Sequence, residues 1–79
     1  MNKMFNYEIC NVFDKEIFKK QCSAIEKYIP NLEKHILLED VDGTEIQKYS
    51  FANGKEIKVT NDVDFGINVT SDINLEQFF

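Results

Sequence analysis

Three aspartates fall within "NDVDFGINVTSD", residues 61–72, with one glycine and no lysine among them. Carboxylates at that density raise three chemistries: a calcium loop, a carboxylate pair for acid–base catalysis, and an acidic surface for a basic partner. A calcium loop of the EF-hand type takes oxygen donors at alternate positions, Gly at the sixth and Glu at the twelfth. From Asp62 the chain reads D-V-D-F-G, which puts Gly66 at the fifth position and the apolar Phe65 and Ile67 around it. "DVDG" at 40–43 lacks the rest of the loop too. A catalytic carboxylate pair requires a pocket that raises one of the two pKa values, and aspartates at the turns and edges of a small sheet are ordinarily solvated. His35 is the only histidine and has no patterned partner. Cys10 and Cys22 lack CxxC spacing, and a nucleophilic thiol requires an electropositive setting, whereas Cys22 belongs to an apolar helix face. Neither a glycine-rich phosphate loop nor zinc spacing is present. These readings predict a chain that is not an enzyme, with no catalytic residue, no metal and no cofactor.

The elements that must position the acidic residues follow from hydrophobic spacing. In "MFNYEICNVF", Phe5, Tyr7 and Ile9 alternate with polar residues, which predicts a half-buried strand; Phe5, Ile9, Val12 and Phe13 also fit helical spacing. "FDKEIFKKQCSAIEKYIP" predicts a helix. Asp14 is placed to cap it by accepting first-turn amides, and Phe13 and Phe18 are placed as a hydrophobic staple. Ile17, Phe18, Cys22, Ile25, Tyr28 and Ile29 form its apolar face, and Pro30 ends it. "LEKHILLEDVDGTEIQKYSF" predicts strand, turn and strand, with Asp42-Gly43 as a two-residue hairpin turn; residues 31–40 read alternatively as a short helix capped by Asn31.

The second hairpin turns at Asn53-Gly54. A plain two-residue loop pairs polar with apolar residues. A loop one residue longer, with Gly54 in a bulge, pairs Tyr49 with Ile57 and sets Phe51, Tyr49, Ile57 and Val59 on one face. Val63, Phe65, Ile67 and Val69 alternate in the next strand, and a turn at Asn61 to Val63 sets Phe65 opposite Val59 and Ile67 opposite Ile57. Asn74 is placed to cap a final turn, after which Phe78 and Phe79 are a core lid or an exposed apolar tip. The expected fold is α+β: an antiparallel meander of three to five strands with one amphipathic helix packed on one face, in a single domain over residues 1–79.

The formal charge is −5, and every cation is Lys, since the chain has no Arg. Phosphate contacts need a basic surface and favour Arg forks, so direct nucleic-acid binding is not expected, and anionic membranes are disfavoured likewise. No stretch approaches the apolar length of a membrane span. "MNKMFNYEIC" carries polar residues where a signal peptide is apolar, so the expectation is a protein of the bacterial host cytoplasm with reduced cysteines; without secretion the sequon "NVT" at 68–70 has no consequence. The acids segregate along the chain. Glu39, Asp40, Asp42 and Glu45 cluster around one turn, and Asp62, Asp64, Asp72 and Glu76 follow the last lysine, Lys58. A solvated surface that keeps a small protein soluble accounts for such a pattern. So does an acidic face that docks on a basic, nucleic-acid-binding surface of another protein through electrostatic steering.

A small acidic chain, free of Arg and patterned as "KYSFANGKEIKV" in its sheet half, resembles the single-domain inhibitors of phage and bacterial conflict systems over residues 44–70. Two groups are similar in this way: phage anti-CRISPR proteins, and immunity proteins that neutralise delivered toxins. The resemblance implies function by stoichiometric binding. An anti-CRISPR protein occludes the nucleic-acid-binding surface of a Cas effector; an immunity protein plugs the active site of a nuclease toxin. The expected contact residues are Glu39, Asp40, Asp42, Glu45, Asp62, Asp64 and Asp72, with Tyr49 or the C-terminal Phe residues as apolar anchors. A reading of another class is a small structural or assembly subunit that forms a homodimer through a sheet edge.

Overall fold

The computed structural model describes residues 4–78. The N-terminal alternation forms a strand, β1 (Phe5–Cys10), as its spacing predicts. A bulge between Glu8 and Cys10 shifts the phase, so Cys10 packs against the core and Ile9 is left partly exposed. The helix, α1, spans Lys15–Tyr28. Asp14 holds an extended conformation, and its Oδ1 accepts the amides of Glu16 at 2.9 Å and Ile17 at 3.1 Å. Two orphan donors of the first turn are thereby satisfied. Ile29, held extended ahead of Pro30 as proline sterics demand, returns its N–H to the Ile25 carbonyl at 3.0 Å. Asn31 then takes a left-handed φ of 62° and reverses the chain, a conformation Asn tolerates better than most residues. Phe18, Cys22, Ile25 and Ile29 are buried. Tyr28, expected on that face, is half-exposed instead: Ile25 and Ile29 occupy the core-facing line, and the Tyr28 ring lies 5.3 Å from the Lys27 ammonium.

The rest of the chain is sheet. Residues 33–39 give two short strands, β2 (Glu33–Lys34) and β3 (Leu38–Glu39), rather than one strand or a helix. Three full strands follow, β4 (Glu45–Ser50), β5 (Glu56–Asp62) and β6 (Gly66–Ser71), and a 3-10 turn closes the chain at Leu75–Phe78. The six strands form one antiparallel sheet in the order β1-β6-β5-β4-β2, with β3 also on β4. The α+β class and the single packed helix match expectation; the strand count rises by one because 33–39 is split.

The hairpins test the predicted registers. Tyr49 pairs with Ile57, and the Phe51 amide donates to the Lys55 carbonyl at 2.8 Å across a three-residue loop, with Gly54 at φ 87°. That is the bulged register the one-face argument selects. The first hairpin uses the same device rather than a two-residue turn: Asp40 N–H donates to Thr44 O at 2.8 Å, Gly43 N–H to Asp40 O at 3.0 Å, and of Asp42 and Gly43 only Gly43 has positive φ. The third register differs from expectation. Val59 meets Val69, Asn61 meets Ile67 and Asp62 meets Gly66, so β5 runs to Asp62, and Phe65 lies in the turn instead of opposite Val59.

Tyr49, Ile57, Val59, Ile67 and Val69 face α1 and, with the four buried residues at its core face and Leu75, make the core. The opposite face of the sheet carries Asn6, Glu8, Lys58, Thr60, Asn68 and Thr70 and lies open. Asn74 caps the closing turn through the Glu76 amide at 2.9 Å. The Tyr7 hydroxyl accepts the Leu75 amide at 2.9 Å and donates to Asn74 Oδ1 at 3.1 Å, which ties that turn to β1. Phe78 packs on the core as half of the expected lid; Phe79 lies outside the described residues.

Candidate functional site

Glu45 pairs with Asn61 across β4 and β5, so the turn before Glu45 and the turn after Asn61 emerge side by side at one end of the sheet. A hydrogen bond joins them, and they lie close together. Val63 N–H donates to Thr44 Oγ1 at 3.3 Å, and a β-carbon added at Gly43 would lie 3.7 Å from Val63 Cγ1. Both turns carry the same tripeptide, Asp-Val-Asp, at 40–42 and 62–64. The fold therefore brings Asp40, Asp42, Asp62 and Asp64 together, with Glu39 beside them on β3.

Three of these aspartates shape their own turns. Asp40 Oδ1 accepts the Val41 amide at 2.7 Å and Asp42 Oδ1 the Thr44 amide at 3.0 Å. Asp62 Oδ1 accepts the amides of Asp64 at 2.8 Å and Phe65 at 3.1 Å. Such side-chain-to-backbone bonds are why Asp favours turns. The Thr44 amide, and then the Thr44 hydroxyl, hold the Asp42 carboxyl below its usual range, so it is charged at neutral pH. Apolar tips stand among the carboxylates: Val41 is fully exposed and Phe65 is 73% exposed. Val12, also exposed, reaches the same end, because the Cys10–Val12 backbone crosses directly over Gly66.

Asn61 supports this end from beneath. It is completely buried; its Oδ1 accepts the Asp14 amide at 3.2 Å and its Nδ2 donates to Glu45 Oε1 at 3.2 Å. Lys15 Nζ lies 3.7 Å from Glu45 Oε2. Helix start, β4 and β5 are thus locked together by a satisfied polar cluster, which in a low-dielectric setting fixes geometry well. Glu45 is accordingly a buried strut, not a contact residue as expected.

Two more expected contact residues lie elsewhere. Tyr49 is 0% exposed, and its hydroxyl donates to Glu26 Oε2 at 2.8 Å, while Lys34 bonds Glu26 Oε1 at 3.3 Å. Tyr49 points into the core because the register that places Ile57 and Val59 inward places it inward too, so it cannot anchor a partner in the folded chain. Burial drives its phenol pKa upward, assisted by the Glu26 carboxylate, and burial likewise raises that of the Cys22 thiol. Asp72 sits at the opposite end of the sheet, where its carboxylate accepts the Glu56 amide at 2.9 Å. Six strand positions separate Glu56 from Asp62, about 20 Å at the usual rise, so Asp72 does not join the acidic end.

Asn61, Val41 and Phe65 are the residues sequence reasoning missed. Asn61 carried a signal, a polar residue in phase with Ile57 and Val59; a polar residue at an inward strand position calls for a buried partner. Val41 carried none, since its exposure is set by the turn. Among the described residues, no three His, Cys, Asp or Glu side chains converge to hold a metal ion, and no helix is long and apolar enough to cross a membrane. No protein-family model, no curated protein sequence and no solved structure matches the chain, so its residues and their geometry carry the functional argument alone.

Proposed function

We propose that this protein is a non-enzymatic inhibitor that docks its acidic end onto a basic, nucleic-acid-binding surface of another protein, in the manner of an anti-CRISPR protein that blocks nucleic-acid binding by a Cas effector. The supporting observation is the convergence of the two Asp-Val-Asp turns. Asp40, Asp42, Asp62 and Asp64 share one end of the sheet with Val41 and Phe65, and no lysine occurs in 35–47 or after Lys58. Carboxylates at the rim steer encounter with a cationic surface and set register; apolar side chains excluded from water supply the residence time. A nuclease toxin offers the same kind of surface at its substrate cleft, which is the immunity-protein version of this reading.

The test uses purified Cas effector and purified nuclease toxin from one host, with stopped-flow association and gel-shift or cleavage readouts. The chain is expected to associate with one of them at a rate that falls steeply with salt and to abolish its nucleic-acid binding or cleavage. Replacing Asp40, Asp42, Asp62 and Asp64 together by Asn is expected to slow association about tenfold at low salt and flatten the salt dependence. An unchanged rate and salt slope in that variant would sink the proposal. Blocked DNA binding by the effector selects the anti-CRISPR version; blocked cleavage by the toxin selects immunity.

A further inference from the structure

We infer that the strap between β2 and β4 is the hydrophobic anchor of the acidic end, and that it fits a partner protein presenting an apolar groove flanked by lysine or arginine side chains. The inference rests on the docking reading above and names the surface that carries its affinity. Four of the large exposed hydrophobic residues, Ile36, Leu37, Leu38 and Val41, fall within this one segment, with Ile36 84% exposed. Side chains left in water in this way forgo the burial that would otherwise stabilise the fold, and a small domain has little stability to spare. Clustered exposed apolar residues rimmed by polar ones mark interaction surfaces.

The strap is held in place rather than merely loose. His35 N–H donates to Lys48 O at 3.0 Å, and the His35 ring nitrogen Nε2 lies 2.6 Å from Ser50 Oγ. The buried Gln47 side chain donates through Nε2 to the His35 carbonyl at 2.6 Å. Three positions on, Leu38 pairs with Ile46 and Glu39 with Glu45. Ile36 and Leu37 lie between these two pins, and Val41 follows at the adjoining turn. Pinning lowers the ordering cost that a flexible apolar loop would incur on binding.

Charge and geometry choose the occupant. Glu39, Asp40 and Asp42 border the apolar residues, and no lysine occurs between Lys34 and Lys48. A second copy of this chain laid on the strap would set these carboxylates against their own equivalents, a like-charge contact that disfavours self-association. Addition of a partner strand is also disfavoured, because β2 and β3 are two residues each and the ladder is broken between them. Side-chain contact with a groove of opposite charge remains.

Two labelled probes test this by fluorescence anisotropy and by amide chemical shifts of the isotope-labelled chain: an amphipathic helical peptide of Leu and Lys, and hexalysine. The Leu-Lys peptide is expected to bind at least tenfold tighter than hexalysine and to shift amides of residues 35–42. Ile36→Ser with Leu37→Ser is expected to remove that advantage and leave hexalysine binding intact; Asp40→Asn with Asp42→Asn is expected to weaken both. If the serine variant keeps the advantage while the asparagine variant weakens both probes, the anchor is wrong and the acidic end stands. If neither probe responds to loss of Asp40, Asp42, Asp62 and Asp64, the docking reading fails with it. A concentration-dependent dimer in sedimentation velocity that the serine variant abolishes would overturn the inference in favour of a second copy.

Discussion

Tyr49 shows how one residue can carry opposite meanings in a sequence and in a fold. An aromatic in a chain with an acidic surface reads as a candidate binding anchor; paired with Ile57 across β4 and β5, the same residue is a core residue whose hydroxyl must find a partner. It finds Glu26, and Lys34 balances that carboxylate. Tyr49→Phe is expected to cost about 1.5–3 kcal/mol in urea denaturation, the usual scale for losing a hydrogen bond to a charged group. The pH dependence follows from the raised pKa values of Tyr49 and Cys22. Each group stabilises the fold fully below its ordinary value, 10.0 and 9.0 respectively. As pH rises past these values the unfolded chain ionises first, so stability falls through the alkaline range. Stability is therefore expected to hold from neutral pH to about 9 and then decline, and Tyr49→Phe is expected to reduce the decline above pH 10. The helix cap Asp14 was legible as a single residue because its partners are two and three positions away. The Asn61–Glu45 pair was not, because it depends on two strands meeting.

At the scale of elements, the Asn53-Gly54 hairpin was legible because an odd slip would have moved every apolar side chain to the wrong face. The β5–β6 hairpin was misplaced because the expected and observed registers differ by an even number of positions, which leaves alternation unchanged. Gly66 then decides. It adopts φ 87°, and a β-carbon there would stand 2.5 Å from Asn11 C and Val12 N, where the backbone leaving β1 passes over β6. Gly54, at the same φ, has nothing within 4 Å of that position. Gly54→Ala is thus expected to cost only the conformational penalty of about 1–2 kcal/mol, whereas Gly66→Ala adds a backbone clash and is expected to cost more than 3 kcal/mol. Thermal melts of the two variants measure the difference directly. Equal losses would show that the β1 crossing yields easily. The same crossing brings Val12 to the acidic end, so this glycine also shapes the candidate site.

For the molecule as a whole, charge segregation was visible in the chain, but its arrangement in space was not. Five of the seven expected acidic contact residues gather at one end; Asp72 goes to the other and Glu45 goes inside. The exposed apolar strap escaped notice because "HILLEDV" reads as part of a strand or a short helix; in the fold it forms the edge of the sheet on β4, and Ile36 and Leu37, between β2 and β3, stay in water. The order of the strands bears on how quickly this molecule assembles. β4, β5 and β6 join through short loops, but Tyr7 and Asn74, which bond each other, are 67 positions apart. Closing a chain segment of about 60 residues costs roughly 2 kcal/mol more entropy than closing one of about five. The meander with α1 is therefore expected to make up the transition state, with β1 and the closing turn docking after it. In stopped-flow chevrons, Ile57→Val is expected to slow refolding, while Tyr7→Phe leaves refolding unchanged and speeds unfolding. The lifetime of the native state would then be governed by its first strand, the part of the sheet that arrives last and leaves first.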